Sequence, residues 1–200
     1  MDHIAHLRRH FEEGIELRRR MAETMPAEIA RAGEALAQAL KSGRKVLACG
    51  NGGSAADSQH FAAEIVGRFE RERPGMPAIA LTVDTSALTA IANDYDWDRV
   101  FSKQVEALGQ PGDVLLALST SGNSANVMAA IEAAHEREMT VVALTGRGGG
   151  RIGNLLRETD VHICVPHERT ARIQEVHILV LHCICDGVDA QLLGEQDHPT

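Results

Sequence analysis

Lys45–Glu64 reads KVLACGNGGSAADSQHFAAE. An apolar run, Lys45–Cys49, stops at a glycine-rich turn, and the turn leads into a helical stretch of small residues. Strand, turn and helix in that order form one unit of an α/β fold. The same alternation continues down the chain. Further strand candidates are Ala78–Thr82, Val114–Leu118, Thr140–Leu144 and Val161–Val165. Each is short, apolar and rich in β-branched residues, as buried parallel strands are. Helical patterns separate them at Ala55–Phe69, Ser86–Asn93, Val100–Leu108, Ala125–Glu136 and Ile152–Leu156, and Ala171–Leu193 closes the series. The pattern predicts a five-stranded parallel sheet flanked by helices, a flavodoxin-like three-layer sandwich. Ligands on such sheets gather at the carboxyl ends of strands, near the point where strand order reverses.

Residues 1–42 read differently, as two helices that break near Met25-Pro26, where proline suits a first helical turn. The expected organisation is a single domain over 1–200, with a helical part (1–42) and an α/β core (43–195). The chain has 200 residues, enough for one core. A net charge of −8 and 3% aromatic residues argue against direct nucleic-acid binding. No apolar run approaches the ~20 residues that cross a bilayer. The charged stretch MDHIAHLRRHFEEGIELRRR lacks the apolar centre of a signal peptide. The expectation is a cytoplasmic protein without a membrane partner. Cys49, Cys164, Cys183 and Cys185 form no CxxC pair and read as reduced, small buried hydrophobes.

Two turns fall at strand ends. Ser119-Thr120-Ser121-Gly122-Asn123-Ser124 follows LLAL and precedes a helix. Its hydroxyls, its glycine and the helix N-terminus can cradle a phosphate without lysine. The competing reading is a capped turn with Ser124 as N-cap. Asn51-Gly52-Gly53-Ser54 has neither the GK[ST] of a Walker loop nor GxGxxG spacing. It brings backbone N–H groups close to a ligand, or is a tight turn capped by Ser54. Gly146–Gly150 carries no hydroxyl and reads as a flexible loop.

His60 and Glu64 are four apart and share a helix face. Such a pair is common surface decoration, but this one leaves a strand end in an otherwise apolar helix. Imidazole plus carboxylate is a normal zinc set, although the second histidine of HExxH is absent. The last helix offers Arg172, Gln174, Glu175, His177 and His182. Gln174 and His182 stand about 80° apart around a helix and ~12 Å along it. A bend in the helix, or two sites across a subunit boundary, would reconcile them.

CGNGGSAADSQHFAAE, AIANDYDWDRVFSKQVEALGQPGDVLLALSTSGNSANV and TARIQEVHILVLHCICD together resemble the sugar isomerase (SIS) domain family over nearly the whole chain. The similarity is greatest to the branch that interconverts D-sedoheptulose 7-phosphate and D-glycero-D-manno-heptose 7-phosphate. That aldose–ketose isomerisation is the first step toward the heptose of lipopolysaccharide. The resemblance implies a homotetramer built through the N-terminal helices, active sites at subunit interfaces, and one Zn2+ per subunit. It implies His60, Glu64, Gln174 and His182 as metal ligands, with Glu64 and His182 catalytic. It implies substrate contacts from Asn51, Gly52, Gly53, Glu64, Asn93, Asp94, Ser119, Thr120, Ser121, Ser124 and Gln174. Asp57 matches a position near the site in some relatives. Ala171 stands where some members carry Asp, so no role passes to that carboxylate.

A second branch, the DnaA initiator-associating proteins, shares the fold and the ARIQE run. By the resemblance, that branch lacks the Glu/His catalytic pair. Glu64 and His182 therefore favour the enzyme, and a non-catalytic DnaA-binding protein is the alternative.

Overall fold

In the computed structural model, residues 2–194 are described. The chain positions 1 and 195–200, including the expected core boundary at 195, lie outside the described residues. Two helices come first, α1 (His3–Thr24) and α2 (Pro26–Lys41), with Asp2 capping α1 and Pro26 opening α2. The core then runs β1 (Val46–Cys49), α3 (Gly53–Val66), β2 (Ala78–Ala80), α4 (Thr85–Asp94), α5 (Ser102–Leu108), β3 (Val114–Ser119), α6 (Ala125–Glu136), β4 (Thr140–Gly146), β5 (Val161–Val165) and α7 (Thr170–Leu193).

All five strands are parallel, in the order β2-β1-β3-β4-β5. Strand order reverses between β1 and β3, which pair Cys49 with Ala117. The turns at Asn51 and Ser119 therefore lie side by side at the carboxyl edge. The strand period of two divides the core. Val114, Leu116 and Leu118 of β3 face Leu36, Phe61, Ile65, Val176 and Val180 of the helices on one side. Leu115 and Ala117 face Val105, Val127 and Ile131 on the other. Continuous burial along β3 follows from cover on both faces.

Four expectations need correction. The helix expected from Val100 begins at Ser102, preceded by a 3-10 turn at Trp97–Arg99. Ile152–Leu156 shortens to a 3-10 turn at Ile152–Asn154, because Gly153 and the glycines before it weaken a longer helix. Gly146–Gly150 is a seated turn rather than a flexible loop. Arg147 Nε donates to the Glu168 carbonyl, and the neighbouring Ile152 N–H donates to Gly122. Cys183 is exposed, whereas Cys49 and Cys185 are buried, because a spacing of two turns side chains to different helix faces.

α7 matches the expected Ala171–Leu193 to within one residue, but it is more apolar than the expectation of no membrane-length apolar run allowed. An 18-residue window of this 24-residue helix reaches a mean hydropathy of 1.5, enough by length and composition to cross a bilayer. In this fold Ile173, Val176, Val180, Leu181 and Ile184 are buried in the core.

Candidate functional site

The hydroxyl loop after β3 is folded on itself. Ser119 Oγ and Ser124 Oγ are 2.9 Å apart, and Ser121 Oγ accepts the Asn123 N–H at 3.1 Å. Ser124 occupies the N-cap position of α6, yet its hydroxyl makes no cap bond. The capped-turn reading thus fails on geometry, and the first N–H groups of α6 remain available for an anion. Gly122 has φ +64°, and its Cβ-less backbone packs directly against Gly149 and Gly150. That contact seats the 146–150 turn beneath the loop.

The neighbouring turn is tied to it by an amide pair. Asn51 Nδ2 donates to Asn126 Oδ1 at 2.8 Å, and Asn126 Nδ2 donates to Asn51 Oδ1 at 2.9 Å. Asn126 is buried in the first turn of α6. Sequence reasoning missed it, although an amide in the otherwise apolar run ANVMAA was the available signal. Ser54 is not the expected cap. Gly52 holds that position, and Ser54 is buried one step inside α3. Beside this turn lies a small cavity of about 120 Å³, lined by Asn51, Gly52, Thr82, Leu88, Trp97 and Phe101.

α3 and α7 run parallel across the site. A Cβ on Gly53 would overlap the Gln174 amide, so Gln174 packs on the start of α3. Further along, His60 Nε2 lies 2.9 Å from His182 Nε2 and 3.3 Å from Glu64 Oε1. The His182 ring also meets Phe69 in a stacked arrangement, with centroids 5.7 Å apart. Phe69 was not singled out from the sequence. Glu64, His60 and His182 therefore come together, while Gln174 stands about two helical turns from His182, roughly 12 Å by helix rise. Within one chain, Gln174 packs at Gly53 and makes no hydrogen bond to the other three.

Those three donors suit a divalent transition metal chemically. Among the described residues, however, no three His, Cys, Asp or Glu side chains form a ready metal-binding group. An ion here would need the imidazoles to turn apart and accept it between them.

Asn93 and Asp94 lie exposed at the end of α4, where Asn93 Nδ2 donates to Asp94 Oδ1 at 2.9 Å. They do not line the cavity beside Asn51. Thr120 and Ser121 are half-buried in the loop. Asp57, one turn before His60, has one buried carboxylate oxygen without a partner. Burial holds its pKa above the usual carboxylate value, and His60 pulls in the opposite direction. Burial pushes the Cys49 and Cys185 thiols up to about 12, which removes both as thiolate nucleophiles.

The SIS domain family model matches residues 9–146. The phosphoheptose isomerase of Methylibium petroleiphilum is 66% identical over 191 residues, spanning 96% of each chain. The solved phosphoheptose isomerase of Neisseria gonorrhoeae is 55% identical, with a TM-score of 0.89, and covers 93% of this chain and 98% of its own. That of Francisella tularensis is 43% identical, with a TM-score of 0.92, and covers 94% and 99%. The chain belongs to the SIS domain family and, within it, to the phosphoheptose isomerases.

Proposed function

We propose that the chain interconverts D-sedoheptulose 7-phosphate and D-glycero-D-manno-heptose 7-phosphate at the carboxyl edge of β1 and β3. The observation that carries this reading is the meeting of His60, Glu64 and His182 on the helices that flank an uncapped hydroxyl loop. An aldose–ketose isomerisation needs a base at carbon, an acid at oxygen and a grip on the distant phosphate. Glu64 is the base that moves the proton between C1 and C2. His182 opens the sugar ring or carries the oxygen-bound proton. Ser119, Thr120, Ser121 and Ser124, with the α6 N-terminus, hold the phosphate. Asn51, Gly52, Gly53 and Gln174 border the sugar between the two ends. Asn93 and Asp94 complete the set by movement of α4 or from a neighbouring subunit. The product feeds heptose synthesis for lipopolysaccharide.

A Zn2+ ion belongs to this proposal, one per subunit, held by His60, Glu64 and His182. Gln174 joins it by rearrangement or from across an interface. When bound, the ion would polarise the substrate oxygens.

A homotetramer with interface active sites is proposed on the apolar stripe Ile4, Leu7, Phe11 and Ile15, which is exposed along α1. A groove of about 560 Å³ between α1, α2 and α7, lined by Met21, Ile29, Val176 and Leu179, continues that surface. The proposal places the protein in the cytoplasm, with neither membrane nor nucleic acid as partner. The DnaA-binding alternative is disfavoured by the presence of Glu64 and His182.

The deciding experiment is turnover of sedoheptulose 7-phosphate by the wild type and by Glu64→Gln. A drop of about 10²–10⁴-fold is expected, and near-wild-type turnover sinks the base assignment. Chelation followed by zinc addition checks the ion, with loss and recovery of activity expected. DnaA capture by a chain without isomerase activity would overturn the enzyme reading.

A further inference from the structure

The loop after α3, GRFERERPG, holds Arg68, Arg71 and Arg73. Only Arg73 is buried, its side chain being 2% exposed. Its guanidinium makes three close contacts. Nη2 donates to the Glu64 carbonyl at 2.8 Å, Nη1 donates to the Ile65 carbonyl at 3.0 Å, and Nε donates to Asp189 Oδ1 at 2.6 Å. The carbonyls of a helix's last turn have no partner within the helix. Here a single side chain supplies partners at the end of α3, and one of them belongs to Glu64 itself. Asp189 lies on α7, two turns beyond His182. The same fork therefore joins the helix that carries Glu64 to the helix that carries His182.

The loop held by Arg73 also delivers Phe69 to the face of the His182 ring. Cys185, between His182 and Asp189, is buried against this junction, with Glu64 and Asp189 both acting on its thiol. The ion pair is a poor source of net stability, because both charges give up water and Asp189 Oδ2 finds no partner. What a planar fork supplies is direction.

We propose that Arg73 and Asp189 are positioning residues that fix the last turn of α3 against α7, and so hold Glu64 and His182 in register. The proposal rests on the reading of Glu64 and His182 as the catalytic pair. Neither Arg73 nor Asp189 touches substrate.

The test uses Arg73→Lys, which keeps the charge but loses the fork, and the apolar pair Arg73→Met with Asp189→Leu. Each is compared with the wild type for kcat, KM, thermal midpoint and amide hydrogen exchange at residues 62–66. All assays run well below the midpoints. In Arg73→Lys, kcat should fall about tenfold or more with KM nearly unchanged. Exchange at 62–66 should rise above that of the sheet. The apolar pair should keep or regain the thermal midpoint without regaining kcat. Unchanged exchange at 62–66 in Arg73→Lys overturns the clamp, whatever the chemistry. Faster exchange with unchanged kcat, a rate loss that only follows the folded fraction, or full kcat in the apolar pair shows a merely structural role and overturns it too. Glu64→Gln run alongside separates the two ideas. Near-wild-type turnover there removes the catalytic reading, while the exchange result still judges the clamp.

Discussion

His60 and His182 meet Nε2 to Nε2 at 2.9 Å across the parallel helices α3 and α7. At that separation one ring donates and the other accepts, so the two side chains act as a unit. Their effects on catalysis should be non-additive. His60→Ala and His182→Ala, singly and together, should show a coupling of about 1 kcal/mol or more in kcat/KM. Strict additivity in a double-mutant cycle would mean that the two rings work independently.

At Gly53 the Gln174 side chain of α7 packs directly on the opening of α3. A Cβ on Gly53 would displace the Gln174 amide, a flexible group that can yield. Gly53→Ala should therefore barely change the thermal midpoint. The turnover of sedoheptulose 7-phosphate should fall about tenfold or more, since a misplaced contact costs rate. Steady-state kinetics beside a melting curve checks both halves.

The Asn51–Asn126 amide pair joins the two ligand turns across the switch point. Asn126→Leu leaves the Asn51 amide without its partner. A loss of about 1–3 kcal/mol in urea unfolding is expected. KM should rise at the same time, because the sugar-side turn and the phosphate loop lose their common register.

His177 is fully buried on α7, and its Nε2 donates to the Thr145 carbonyl, 3.0 Å away. A carbonyl only accepts, so Nε2 carries the proton. Burial lowers the His177 pKa from 6.5 to about 4, with the Thr145 bond opposing. Between those values the unfolded chain binds the extra proton, so stability is full above about pH 6.5 and falls toward about pH 4. The total loss is about 3 kcal/mol by linkage. His177→Gln should flatten that part of the curve of unfolding free energy against pH.

Phe11 is 74% exposed at the centre of the α1 stripe. Phe11→Glu puts a charge on this face without touching the described core. Light scattering should find a smaller assembly than the wild type. If the active sites span the interface, activity should fall with the assembly.

Much of the fold was legible because its signals are local. Val161–Val165 and Ala125–Glu136 match their predicted bounds, since the buried β-branched Val161, Ile163 and Val165 and an alanine-rich twelve-residue helix need no distant partner to be read. The site was legible only as residue types at spacings. His60 and Glu64 were paired by one helical turn, and the hydroxyls of 119–124 by adjacency. Arg73 and Phe69 gave no such signal, and Asn126 only that of a lone amide in an apolar run, because their partners at 189, 182 and 51 are far away in sequence.

The sequence by itself determined the alternation of strands and helices, the two ligand turns at strand ends, and the donors that one helix can align. Periodicity and turn chemistry act over a few residues, so they are written locally. Tertiary structure alone decided that α3 and α7 run parallel, that His182 meets His60 while Gln174 stops at Gly53, and that Ser124 bonds Ser119 instead of capping its helix. Those outcomes depend on helix packing across the sheet, where side chains remote in the chain compete for the same space.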